Sequence, residues 1–246
     1  MKKQKLKLSD DGKMAFRDKD HAYFLLDKEQ KFISVTTFIG TFFDKFDADK
    51  MAKIKAFLSA KKGIKGQGVA YWKKKWKGAA VHGSRVHSLL QCKLDPSAKP
   101  MKATYTDVDK AKAEHGYSAL MEVFGSNIPN IMCEKIIYDE TLGLAGQIDM
   151  LYESGEEINL IDYKTNDSIT KVGYKGKRAK YPIDHLDDCS FSKYSLQLNI
   201  YAAMLKRQGK KVGKMHIVHL REDGYELMEV PDMTKEVTKL FELLEV

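Results

Sequence analysis

Gly143-Leu144-Ala145-Gly146-Gln147-Ile148-Asp149 is followed closely by Ile158-Asn159-Leu160-Ile161-Asp162-Tyr163-Lys164-Thr165. Both stretches read as strands, joined through the polar turn Glu153-Ser154-Gly155-Glu156-Glu157. The apolar run from Ile158 to Ile161 ends abruptly in Asp-Tyr-Lys. Side chains alternate faces along a strand, so Asp162 and Lys164 point the same way. Asp149 closes the preceding strand in this reading and reaches the same spot. Two carboxylates and one ammonium then converge at the end of a small sheet. Paired carboxylates hold a hard divalent cation through oxygen, with water filling the remaining positions. The lysine can position or activate a water and stabilise charge developing on a phosphate. A lone D-x-K is a weak signal, because Asp and Lys are common at strand ends; the surroundings decide.

The chain has 246 residues, 43% of them apolar, enough for one large domain with an ample core. No apolar run approaches the ~18–20 residues of a membrane span. The basic start, Met1 to Lys7, lacks an apolar h-region and does not read as a secretory signal. Three widely spaced cysteines, Cys92, Cys133 and Cys189, argue against a disulfide framework and for a reducing, cytoplasmic setting.

The net charge of +8 is gathered into two blocks. Residues 51–80 hold nine lysines and no acid, and residues 168–183 hold Lys171, Lys175, Lys177, Arg178 and Lys180, again with no acid. Together the blocks carry +14, leaving −6 for the rest. Such gathering is the footprint of a polyanion binder. Lysine-rich solvated loops are common, but aromatics lie inside both blocks: Tyr71, Trp72 and Trp76 beside Lys73, Lys74 and Lys75, and Tyr174 and Tyr181 beside Lys175 and Lys177. Cations with aromatics suit phosphate tracking and base stacking on single strands.

Around the central strands, His21 to Asp27 and Lys31 to Thr36 read as a hairpin. Asp49 is placed to cap a helix over 50–61. Lys61 to Lys77, with Gly63, Gly66 and Gly68, reads as a mobile loop or short helix, a strand-guiding arm. Helical spacing predicts helices over 78–91, 107–124 and 192–207; Ile131 to Asp139 reads as a strand, and Lys214 to Arg221 with Tyr225 to Val230 as a hairpin around Glu222-Asp223-Gly224. Residues 167–190 read as a basic loop, and 234–244 as a closing helix capped by Thr234 or Asp232. Gln197 falls on the apolar face of its helix, where a buried amide needs a partner. The expected fold is α/β (α+β), a single domain over 1–246 with a central mixed sheet flanked by helices.

The order of motifs resembles the PD-(D/E)XK nuclease superfamily in its RecB-like branch. Gly83-Ser84-Arg85-Val86-His87 comes first, then a strand with Glu134, then Gly146-Gln147-Ile148-Asp149, then Asp162-Tyr163-Lys164-Thr165, and last Gln197-Leu198-Asn199-Ile200-Tyr201. Ser34-Val35-Thr36-Thr37 before a helix also resembles phage and mitochondrial genome-maintenance exonucleases. The chain departs from the branch in carrying Ile148, not proline, before Asp149, and in lacking the four cysteines of its iron–sulfur members.

The resemblance implies a restriction-endonuclease-like core over about 79–230 and a Mg²⁺- or Mn²⁺-dependent deoxyribonuclease without an iron–sulfur cluster. It implies that Asp149, Asp162, His87 and the Tyr163 carbonyl ligate one or two ions. Lys164 acts on the attacking water, Glu134 binds metal or orders water, and Gln197 orients the lysine or a phosphate. Tyr201 contacts DNA or packs. Arg85, Trp72, Trp76, Lys73, Lys74, Lys75, Lys175, Lys177 and Arg178 are the expected nucleic-acid contacts. An exonuclease on DNA ends or single strands, serving replication, recombination or repair, is favoured. A structure- or sequence-directed endonuclease, and a binding module on a non-catalytic nuclease fold, stand as alternatives; RNA is open as substrate.

Overall fold

A computed structural model describes residues 6–28, 30–124 and 130–245 of the chain. The frame is one mixed sheet whose longest strand is β6, Leu144–Ser154. Strand β5, Ile131–Asp139, pairs antiparallel along one edge of β6. The other edge is shared. β4, Lys31–Ser34, lies parallel against Leu144 and Ala145, and β7, Glu157–Lys164, lies antiparallel against Met150 to Ser154. Between these partners the shared edge of β6 is open from Gly146 to Asp149. Asp149 therefore does not close its strand, as expected; it sits mid-strand at a fork, and β6 runs on for another turnless half.

Beyond β4 lie β1 (Lys7–Leu8), β2 (Met14–Arg17) and β3 (Ala22–Leu25), an antiparallel meander that extends the expected hairpin. On the far side β8, Lys211–Leu220, lies parallel to β7, and β9, Tyr225–Glu229, closes the edge as a hairpin.

Helices cover both faces. One face carries α1 (Val35–Gly40), α5 (Ser190–Arg207) and α6 (Thr234–Glu242), packed on Ile148, Leu151, Leu160 and Ile217. The other carries α3 (Val69–Leu94) and α4 (Asp107–Phe124), packed on Met150, Tyr152, Ile161 and Val218. Ile148 and Met150, two apart on one strand, should share a face. They lie in different cores. The alternation of β6 breaks at Asp149.

The largest departure from expectation is the basic arm. Gly63 and Gly66 take positive φ (71° and 79°) and turn the chain after α2, Ala48–Lys61. From Val69 onward the expected loop is helical and continuous with the helix expected over 78–91. At 1.5 Å per residue the 26-residue α3 is about 39 Å long. Gly78 lies inside it, where it costs roughly 1 kcal/mol of helix propensity without ending the helix. Asp47, not Asp49, caps α2, its carboxylate accepting from the Lys50 amide at 2.9 Å. Among the described residues no helix is long and apolar enough to cross a membrane.

Candidate active site

Strand register aligns three carboxylates. Cys133 pairs with Met150 and Lys135 with Ile148, so Glu134 stands across from Asp149. Met150 pairs with Ile161, so Asp162 follows across from Asp149 on the other side. Glu134, Asp149 and Asp162 thus form a row over β5, β6 and β7. The ladder is interrupted at this row, and Glu134 has φ 55°, a left-handed conformation that costs a non-glycine residue about 1–2 kcal/mol. Freed from a ladder partner, Asp149 accepts the Tyr163 amide through its own Oδ2 at 2.8 Å.

Helix α3 closes the row from above. Positions 75, 83 and 87 lie on one helical face, separated by whole four-residue steps. Lys75 pairs with Asp167 at 2.5 Å, Gly83 lies against Thr165, and His87 Nε2 meets the Tyr163 carbonyl at 3.2 Å. The other ring nitrogen of His87 is 3.5 Å from Asp149 Oδ1 and 3.7 Å from Glu134 Oε1. The ligand atoms of His87, Glu134 and Asp149 all lie within 4.8 Å of one another. A cleft of about 10 Å³, room for one small species, is lined by these three, Cys133, Tyr163 and the helix residues Leu90 and Gln91. Oxygen and imidazole ligands around so small a space fit a divalent cation.

Asp162 lies beside this group rather than within it. Its Oδ1 accepts from the Gln197 side-chain amide at 3.2 Å, and its Oδ2 lies 2.5 Å from Lys164. Glu134, expected to bind metal or order water, stands in the group around His87. Gln197, expected to orient the lysine or a phosphate, donates to Asp162, the carboxylate that pairs with Lys164. Tyr201 lies beneath Gly146, 2% exposed, so of its two expected roles it has the packing one. The need for Gly146 follows: a Cβ there would stand 2.7 Å from the Tyr201 hydroxyl oxygen.

Electrostatics follow burial and neighbours. Burial opposes the charge of Asp149, but His87, Lys164 and the Tyr163 amide outweigh it and lower its pKa. For Asp162 burial prevails, helped by Asp149 and opposed by Lys164, and the pKa rises to about 6. Burial likewise works against the charged forms of His87 and Lys164, yet the surrounding carboxylates raise both pKa values. Lys164 is therefore an ammonium, with its Nζ 4.6 Å from the centroid of the Tyr194 ring.

The expected nucleic-acid residues divide. Arg85 is held by Asp109, which is wholly buried and also takes His82 and the Thr106 amide. Arg85 is thus an ion-paired, half-buried cation. Trp72 and Trp76 are half-buried neighbours (centroids 6.1 Å apart), with Phe46 edge-on to Trp76 and Tyr71 edge-on to Trp72. Lys73 pairs with Asp49, Lys75 with Asp167, Lys177 with Asp44 and Arg178 with Asp187. Lys74 and Lys175 are exposed, with no ion-pair partner among the described residues.

Two supporting residues were not singled out in the sequence. Gln147 donates to the Glu134 carbonyl at 3.2 Å and to its carboxylate. Tyr194 sets its ring against the Lys164 ammonium. The signal for Gln147 was its polarity inside an otherwise apolar strand.

A family model for the PD-(D/E)XK nuclease superfamily matches residues 67–245. The chain belongs to that superfamily. The matched stretch takes in α3, α4 and everything from β5 to α6, the D-x-K strand included. Solved structures similar to this chain include one described as SSO0001, at 16% identity and TM-score 0.37, covering 87% of this chain and 72% of that one. Another is a provisionally named exonuclease from Eubacterium rectale, at 15% identity and TM-score 0.39, covering 72% and 70%. Among curated proteins none matches.

Proposed function

We propose that this PD-(D/E)XK nuclease chain is a Mg²⁺- or Mn²⁺-dependent deoxyribonuclease of the RecB-like branch, acting as an exonuclease on DNA ends and single strands. The observation that carries the reading is the carboxylate row Glu134–Asp149–Asp162 with His87 on one flank and Lys164 on the other. His87, Glu134 and Asp149 would hold the ion, with the Tyr163 carbonyl beside them and Asp162 adjoining. The ion would lower the pKa of a bound water and offset charge on the phosphate.

The chain's own residues have distinct tasks. Asp149 and Glu134 keep His87 oriented toward the cleft. Gln197 fixes one oxygen of Asp162 and leaves the other to Lys164. As an ammonium, Lys164 donates hydrogen bonds to the attacking water and to the phosphate oxygen that gains charge, rather than removing a proton. Tyr194 keeps that ammonium aimed along the row. The exposed cations Lys74 and Lys175, with Trp72 and Trp76 near the surface of α3, support a strand-binding path toward the row. One domain over 1–246 suits the unbroken run of strands from β1 to β9, and three free cysteines suit a cytoplasmic setting, in replication, recombination or repair.

End-labelled linear and circular DNA, single- and double-stranded, tests the reading with Mg²⁺, Mn²⁺ and EDTA. Metal-dependent loss of linear DNA with circles intact is expected. Cut circles would replace the exonuclease with an endonuclease, and binding without cleavage under either metal would replace the enzyme with a binding module.

A further inference from the structure

The N-terminal meander lies outside the stretch that the family model matches, 67–245, yet it reaches Glu134 of the carboxylate row. It is fastened to β5 beside Glu134. Asp10 pairs with Lys135, and Asp11 accepts the Tyr138 hydroxyl at 2.5 Å. Phe16 and Tyr23 share a core with Ile136 and Ala145. These contacts fix β1, whose Lys7 pairs with Phe16 across the ladder. The Lys7 Nζ then stands 3.6 Å from Glu134 Oε2 and 5.8 Å from the Phe16 ring centroid. The row of three carboxylates therefore has an ammonium at each end, Lys7 at Glu134 and Lys164 at Asp162.

The two lysines differ in freedom. The Lys164 side chain is 17% exposed and held between Asp162 and Tyr194, whereas that of Lys7 is 44% exposed. We propose that Lys7 is a substrate-binding residue, holding a phosphate of the nucleic-acid strand next to the one that is cut. The proposal rests on the nuclease reading above. When an ion occupies the His87–Glu134–Asp149 group, the charge of Glu134 is engaged by it. Lys7 is then the flexible cation left facing the incoming strand on that side, a strongly hydrated point charge suited to a phosphate. A neighbour merely balancing the Glu134 charge would have no such role.

The test uses the full chain with Lys7→Gln and Lys7→Arg. Binding of a fluorescein-labelled single-stranded oligonucleotide is followed by anisotropy over a range of salt, with Ca²⁺ in place of Mg²⁺. Wild-type cleavage with Mg²⁺ is run beside it. Lys7→Gln should weaken binding several-fold and reduce the slope of log affinity against log salt by about 0.7, the loss of one single-strand phosphate contact. Lys7→Arg should keep the wild-type slope. If the wild type binds and cleaves while Lys7→Gln keeps its affinity and slope, the proposal is overturned and the nuclease reading stands. Loss of slope in both variants would mean that β1 had been disturbed, and would also overturn it. A wild type that neither binds nor cleaves would overturn the nuclease reading, and the proposal with it.

Discussion

The side-chain amide of Gln197, on α5, donates to Oδ1 of Asp162, on β7, across 3.2 Å of an otherwise apolar interface. The bond decides which way Asp162 faces, and leaves Oδ2 to Lys164. Gln197→Ala should therefore lower metal-dependent hydrolysis by about 10–100-fold, the usual cost of losing a group that orients a site carboxylate. Far-UV circular dichroism should be unchanged. Equal activity in variant and wild type would show that Asp162 needs no such support.

Asp162 also predicts a pH effect on stability. Its folded pKa of about 6 lies above the ordinary 3.8, so the native state binds this proton more tightly than the unfolded chain does. The stability it contributes is full below pH 3.8 and is lost as pH rises through about 6. In EDTA, the wild type should lose stability relative to Asp162→Asn as pH rises through that window, because only the wild type carries this titrating group. The same variant should be inactive. Thermal melts between pH 4 and 8 check this; a difference between the two chains that does not change with pH would contradict it.

Gly146 and Tyr201 predict a packing coupling. Gly146→Ala puts a methyl into the space of the buried Tyr201 ring, at a cost of about 1–3 kcal/mol. Tyr201→Leu destabilises alone but should relieve part of that cost, giving a double-mutant coupling of at least about 0.5 kcal/mol in urea denaturation. Additive effects would mean that the two do not meet.

Much of this site was legible because its parts announce themselves over short distances. The apolar run ending in Asp162-Tyr163-Lys164 identified β7, and a glutamine on an apolar helix face called for a buried partner. The partner itself was not legible, because Gln197 and Asp162 meet through the packing of α5 on the sheet. Asp149 was placed at a strand end because the pattern gives no sign that β4 and β7 take turns along one edge of β6. The basic arm misled for a different reason. Three glycines within Lys61 to Lys77 suggest a loop throughout, but the turn is made by Gly63 and Gly66 and ends at Gly68, the N-cap of α3; the lysines and tryptophans after it lie within the helix.

The ion pairs of that arm separate its lysines. Lys74 lacks a carboxylate partner among the described residues, whereas Lys73 is paired with Asp49. Lys74→Ser should lower the salt slope of single-strand binding by about 0.7, and Lys73→Ser by less. Electrophoretic mobility shifts at graded salt distinguish them; the reverse order would contradict a binding path along this face of α3.

The most direct test compares wild type and Lys164→Ala on an end-labelled single strand, with metal affinity measured for both by calorimetry. The ammonium acts on the phosphate and the attacking water, while His87, Glu134 and Asp149 hold the ion. Hydrolysis should therefore require Mg²⁺ or Mn²⁺ and stop in EDTA. Lys164→Ala should still bind the metal and yet cleave about 10²–10³-fold more slowly. Cleavage that survives EDTA, or a Lys164→Ala chain that cuts at the wild-type rate, would contradict the account.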